Sequence, residues 1–213
     1  MISLTLVLVI MTVLISYQAF NRQNMLNELA FHPASIREFG QWHRFITNGL
    51  IHADWWHLSI NMVVLFQFGE YVEQFFLNEV FGSPATGRMV FLIFYLSAVA
   101  VACIPSYLRH RNNYAYAAVG ASGATSALVF AYVIINPWQM FVFPPLPALL
   151  FGVFYLFYSS YMDRRGTDNI GHNQHFWGAV YGAAFILIVL LVVRPELFHL
   201  LLNRYEQIPF LSE

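Results

Sequence analysis

The run Gly120-Ala121-Ser122-Gly123-Ala124-Thr125-Ser126-Ala127-Leu128-Val129-Phe130 lies inside a stretch, residues 112–162, that carries no Asp, Glu, Lys or Arg. At 51 residues this stretch is too long for one membrane helix, which needs about 20 apolar residues to cross roughly 30 Å of hydrocarbon. Asn136-Pro137 and Pro144-Pro145-Leu146-Pro147 divide it, because proline removes a backbone donor and clashes with the preceding turn. Two helices are expected here, over about 119–135 and 146–162.

Outward from that stretch, charged residues act as punctuation. Residues 89–108 lie between Arg88 and Arg109, and residues 172–193 end at Arg194-Pro195. Residues 1–20 end before Asn21-Arg22 and lack the basic start and cleavage site of a signal peptide, so a retained helix is expected. A span over 57–76 holds Glu70 and Glu73 near its far end. Residues 21–56 read as a partly ordered polar loop, and Asp163-Arg164-Arg165-Gly166 as a polar turn. Six helices follow, since in lipid the backbone must satisfy its own hydrogen bonds. The expected fold is all-α: one polytopic membrane domain over 1–213, with no internal repeat.

Composition agrees. Of the 213 residues 59% are hydrophobic and 10% charged, far below the roughly 25% charge of a soluble domain. That excludes an ordinary cytosolic globule and a disordered chain. The net charge of −1, with all ten basic residues Arg and no basic block, excludes nucleic acid as a partner. Cys103 is the single cysteine, so no intrachain disulfide forms.

Polar groups within membrane helices are expensive and therefore point to function. His57 and Asn61, four residues apart, share a helix face. Ser122 falls in the first turn of its helix, where N–H groups lack intrahelical partners and the dipole favours negative charge. A serine attacking an amide creates such a charge, and its hydroxyl needs a base. His175 is the candidate base, because Gly178 and Gly182 follow it as a face on which two helices approach closely. If that face meets Gly123, Ser126 and their small neighbours, the imidazole reaches Ser122. No third carboxylate follows from the sequence, so a Ser–His dyad is the economical reading, with His57 and Asn61 as donors to the oxyanion. Singly, each feature reads as packing: small-residue runs usually do, and His57 with Asn61 fits an interhelical hydrogen-bonding pair. His172, one turn before His175, reads as interfacial. What lifts the three clusters above packing is that helix alternation puts all of them on one side of the membrane.

These residues resemble the rhomboid family of intramembrane serine proteases. Gln41-Trp42-His43-Arg44 is similar to its Trp-Arg motif, His57 with Asn61 to its His-xxx-Asn element, and Gly69 with Glu73 to its Gly-xxx-Glu. Gly120-Ala121-Ser122-Gly123 is similar to the nucleophile motif, and His175 with Gly178 and Gly182 to the catalytic histidine and its glycine face. The resemblance implies a six-helix bundle without cofactor or metal, in which Ser122 and His175 are catalytic. His57, Asn61 and the Ser122 N–H would line an oxyanion hole. It also implies transmembrane protein substrates, cut in or beside their helices, in a bacterial-type inner membrane. Three departures stand out: His43 replaces the Trp before Arg44, Gln174 a small residue before the histidine, and Ser126 an aromatic that stacks on the imidazole. The last implies a less firmly held His175.

The resemblance also implies a cytoplasmic amino terminus and a site opening extracytoplasmically. The arginines disagree: Arg22, Arg37, Arg44, Arg109, Arg111, Arg164 and Arg165 fall outside, against Arg88, Arg194 and Arg204 inside. The positive-inside rule alone would invert the molecule. Three other functions compete. One is a catalytically silent relative that binds membrane helices. Another is a metal site on His52, His57, His172 and His175, although no His-Glu-xx-His motif occurs. The third is a transporter, which the lack of inverted repeats disfavours. Natural substrate and oligomeric state are not encoded in any motif.

Overall fold

A computed structural model describes residues 2–142, 144–166 and 171–206. The ends of the expected 1–213 domain, together with residues 143 and 167–170, lie outside the described residues. Among the described residues ten α-helices follow one another: α1 (Leu4–Phe20), α2 (Gln23–Leu29), α3 (Pro33–Phe39), α4 (Arg44–Thr47), α5 (Trp55–Gln74), α6 (Pro84–His110), α7 (Ser122–Ile135), α8 (Ala148–Arg165), α9 (His172–Val193) and α10 (Pro195–Glu206). Among the described residues no β-strand forms; Phe31–Ala118 and Met140–Pro147 are isolated bridges.

Each segment expected to be helical is helical; 172–193 matches α9 at both ends, and the other segments have at least one end shifted. The shifts have local causes. α7 begins at Ser122 rather than near 119, because Gly120 takes φ +122, outside the helical region. α5 starts two residues early, where the Asp54 side chain accepts the His57 N–H and caps it. It then runs on as a π-helical turn, Phe75–Val80. Glu70 and Glu73 are therefore inside a continuous helix, not at its end. The polar turn expected at 163–166 is the last turn of α8, closed by Gly166 in the left-handed conformation. Residues 21–56 are not one loop but α2, α3, α4 and a 3₁₀ turn at Asn48–Leu50. Pro195, read as a stop, opens the further helix α10, consistent with the preference of proline for a first turn.

Two helices, α6 and α9, are long and apolar enough to cross a membrane, and α1 and α7 are shorter apolar helices. α7 lies at the centre: ten of its residues, from Gly123 to Ile135, are buried. α9 and α6 pack on it, α5 covers another side, and α8 touches it along a narrow stripe. The main core runs through Leu65, Phe76, Phe91, Phe94, Leu128 and Ile186.

Candidate active site

The site begins with a close approach of two backbones. A Cβ on Gly178 would lie 2.1 Å from the Gly123 carbonyl oxygen, and one on Gly182 would lie 2.1 Å from that of Ala127. Only glycine permits this. Both pairs advance by four residues, so α7 and α9 run in the same direction and their first turns sit side by side. Gly123 is itself pressed on its other side, where a Cβ would come within 2.6 Å of the Ala102 Cβ on α6. Ser122 is one residue before Gly123 and His175 one helical turn before Gly178. Both are half-buried. The α9 face thus meets Gly123 and the small neighbour Ala127, while the Ser126 hydroxyl turns to the Tyr155 hydroxyl at 2.6 Å.

Ala121, the residue before α7, places no side-chain hydrogen bond on the first turn. The early N–H groups of the helix are left facing the mouth, beside Ser122. A short helix with such a mouth attracts developing negative charge.

The segment leading into Ser122 is irregular backbone, and its polar groups are paired by residues between Phe31 and His52. Ala118 and Phe31 exchange two backbone hydrogen bonds of 3.0 and 2.9 Å, and the Gly120 N–H donates to the Asn48 carbonyl at 2.9 Å. The Ala121 N–H donates to His52 Nε2 at 3.3 Å. His52 must then carry its proton on Nδ1, which donates to Ser16 Oγ at 3.0 Å, whose hydroxyl in turn donates to the Leu50 carbonyl at 3.1 Å. Burial pushes the His52 imidazole down to about 3, with His57 adding to the shift and Asp54 opposing it. A neutral imidazole is what this chain of hydrogen bonds requires.

Arg44 explains why the first loop holds still. It is buried and donates to the carbonyls of Asn27 and Ala30, both at 2.7 Å, and to Gln41 Oε1 at 2.6 Å. Asn48, four residues on, donates its amide to the Arg44 carbonyl at 2.7 Å. The arginine therefore ties α2 to α4, and through Asn48 to Gly120. Trp42 stands exposed and stacks on Phe45 at 6.0 Å; it is this ring, beside His43, that serves the loop.

His57 and Asn61 reach the same mouth from α5. A Cβ on Gly120 would lie 2.7 Å from the His57 ring, so glycine admits the imidazole over the approach to Ser122. Asn61 donates to the His57 carbonyl at 2.9 Å and accepts the Thr125 hydroxyl at 3.1 Å. Gln174, at the departure before His175, is buried and donates to Cys103 Sγ at 3.6 Å. His172 is buried rather than interfacial, edge-on to His175 at 5.9 Å and to Tyr158 at 5.6 Å. His175 is not left without an aromatic neighbour: Tyr155, on α8, stacks on it with centroids 6.4 Å apart and an interplanar angle of 26°.

Glu73 belongs elsewhere. It is fully buried and accepts the Leu4 N–H, the Thr5 N–H and the Thr5 hydroxyl at 2.8–2.9 Å, with Arg88 Nε 3.5 Å away. Twelve residues of α5 separate it from Asn61, about 18 Å of helix rise, so it clamps the start of α1 and takes no part at Ser122. Among the described residues, no three His, Cys, Asp or Glu side chains converge as a metal site.

Thr125 and Tyr155 were not legible as site residues, and His52 entered only as a ligand of the rival metal site. His52 serves a backbone N–H 69 positions away, and Tyr155 is one of 12 tyrosines in a chain full of aromatics.

This is an all-helical fold in which small residues bring a serine and a histidine to the mouth of a central helix. The chain belongs to the rhomboid family, whose domain matches residues 39–192, and it is accordingly a membrane protein. It is similar to the RHOMBOID-like protein 12, mitochondrial, of Arabidopsis thaliana, with 27% identity over 181 residues. The aligned region covers 80% of this chain and 53% of that protein, so the chain spans about half the length of the curated relative it matches.

Proposed function

We propose that the protein is an intramembrane serine endopeptidase: a single rhomboid domain of six membrane-spanning helices (α1, α5, α6, α7, α8 and α9) that cuts transmembrane protein substrates in or beside their helices. The Ser122 hydroxyl attacks the scissile carbonyl while the His175 imidazole takes its proton, and the imidazolium then protonates the leaving amine. A water activated by the same imidazole hydrolyses the acyl-enzyme. The tetrahedral oxyanion is met by the Ser122 N–H and by side-chain donors from His57 and Asn61. Gly120 and Gly123, with Gly178 and Gly182, keep the two helices in register, while Arg44 and Glu73 brace the first loop and the start of α1.

The observation that carries this reading is the contact of Gly178 with Gly123 and of Gly182 with Ala127, which supports nearness of the two first turns. The length of α7 supports it as well. Fourteen residues give about 21 Å of rise, short of roughly 30 Å of hydrocarbon. A helix of that length reaching one surface starts below the other, and irregular backbone at such depth must be paired by protein. The bonds from Ala118, Gly120 and Ala121 do this. Extracytoplasmic opening in an inner, plasma-type membrane is part of the proposal; an amino-terminal topology reporter that reads external would reverse it.

The test is fluorophosphonate labelling of detergent-solubilised protein together with cleavage of a reporter transmembrane substrate. The parent protein is expected to label and cleave. Ser122→Ala should do neither, and His175→Ala should lose at least about 10³-fold in rate, the scale of removing a general base. A parent protein that folds yet neither labels nor cleaves supports instead a catalytically silent, helix-binding rhomboid. Labelling that persists in Ser122→Ala removes the nucleophile assignment.

A further inference from the structure

We propose that Tyr155 is the positioning residue for the His175 imidazole, referencing the base to the helix that carries the nucleophile. This rests on the Ser122–His175 reading and adds to it a residue from a third helix. Backbone contact between α7 and α9 fixes where the His175 Cα lies but does not by itself set how the imidazole is turned about its two side-chain bonds. Some contact must select the orientation that faces Ser122. The Tyr155 ring does so on geometry: it lies within 26° of parallel to the imidazole at 6.4 Å, inside the offset-stacking range of aromatic pairs. His172 abuts the same imidazole edge-on, so the ring is bounded in two directions.

Tyr155 is itself tied down, and to the relevant helix. Its hydroxyl meets Ser126 Oγ at 2.6 Å, and its ring packs on Phe130 at 5.6 Å. Ser126 is four residues after Ser122, on the same face of α7. A shift of α7 therefore carries Ser122, Ser126 and, through the hydroxyl pair, the Tyr155 ring together. The stripe of α8 that faces the bundle is otherwise small: Ala148, Gly152 and Ser159 are its buried residues. Tyr155 is the large side chain in that stripe, and it is placed where a smaller one would leave the imidazole face open.

The experiment measures kcat and KM for a reporter transmembrane substrate, labelling rate, and thermal unfolding, for full-length Tyr155→Leu, Tyr155→Phe, Ser126→Ala and the double variant Tyr155→Phe/Ser126→Ala. Tyr155→Leu should lower kcat roughly 10- to 100-fold, the scale of a misplaced reacting group, with KM within about twofold of the parent. Tyr155→Phe keeps the ring and should recover most of that loss. It and Ser126→Ala should each cost about fivefold, the scale of one hydrogen bond, and the double variant no more than either alone. Full kcat in Tyr155→Leu overturns the proposal, as does a loss confined to KM, a Phe variant as slow as Leu, or single losses that multiply. If Tyr155→Leu unfolds, the Phe and Ala cycle decides by the same criteria. An inactive parent brings down the protease reading and this inference with it; an active parent with unaffected Tyr155 variants brings down this inference alone.

Discussion

α7 and α8 are neighbouring helices, yet the bundle treats them differently. α7 is buried along its whole length and meets α9 through glycine against carbonyl. α8 buries only Ala148, Gly152 and Ser159, and leaves Leu150, Val153, Phe154, Phe157, Tyr158 and Tyr161 exposed. Its outer end is held by Asp163, which pairs with Arg109 at 3.0 Å and accepts from Asn173 at 3.3 Å. Contacts without side chains have no rotamer to yield, so the α7–α9 seam is rigid. The α8 seam is made of side chains that can move. On the proposed protease reading, holding two reacting groups while admitting a substrate helix calls for one wall of each kind.

A matched pair of alanine substitutions puts that contrast at risk. Gly178→Ala drives a methyl to 2.1 Å from the Gly123 carbonyl, which only separation of the helices relieves. It should cost about 3 kcal/mol in unfolding and abolish labelling by the fluorophosphonate. Thermal unfolding and labelling at one temperature check both. A mild Gly178→Ala variant would mean that the two seams do not differ in kind.

The next effect in size sharpens the rigid side through pH. His52 holds the Ala121 N–H while neutral, and its folded pKa of about 3 lies below its ordinary value of 6.5. Below 6.5 the unfolded chain takes up a proton that the folded chain refuses. Stability is therefore complete above about pH 6.5 and falls as acid is added, until the folded imidazole titrates near 3. For this group alone the loss should reach about 1 kcal/mol by pH 5.5. Unfolding measured between pH 7.5 and 5.5 should show a steeper decline for the parent than for His52→Gln. Parallel declines would remove His52 from the anchoring of the nucleophile turn.

The smallest effect belongs to α8. A Cβ on Gly152 would lie 3.3 Å from Val133 Cγ1 and 3.5 Å from Phe130, both ends of side chains able to give. Helix propensity favours alanine over glycine by about 1 kcal/mol. Gly152→Ala should therefore leave stability unchanged or raise it by up to about 1 kcal/mol, with labelling rate retained. A loss matching that of Gly178→Ala would show α8 to be locked as tightly as α9.

Much of this arrangement was legible in the residue order, and the misses share a cause. The helical segments could be read because charge and proline mark where a chain stops being able to bury its backbone. Several of their ends could not, since capping by Asp54 and the positive φ at Gly120 act within single turns. α10 was hidden by Arg194-Pro195, which ends one helix and starts another. Glu73 was set apart from Ser122 by its position on α5, whereas its partners at Leu4 and Thr5 lie 69 and 68 residues away and left no local pattern.

By itself the sequence determined that the chain is helical and apolar, where its six long apolar segments fall, and which small and polar residues to look for near one end. Those properties follow from local periodicity and from the cost of charge in lipid, and both can be read one segment at a time. Only the tertiary structure decided which surfaces meet: Ala127 and not Ser126 under Gly182, His52 beneath Ala121, and Tyr155 from α8 over His175. Such pairings arise where backbones approach closely enough to exclude every alternative partner, and no single helix contains that information.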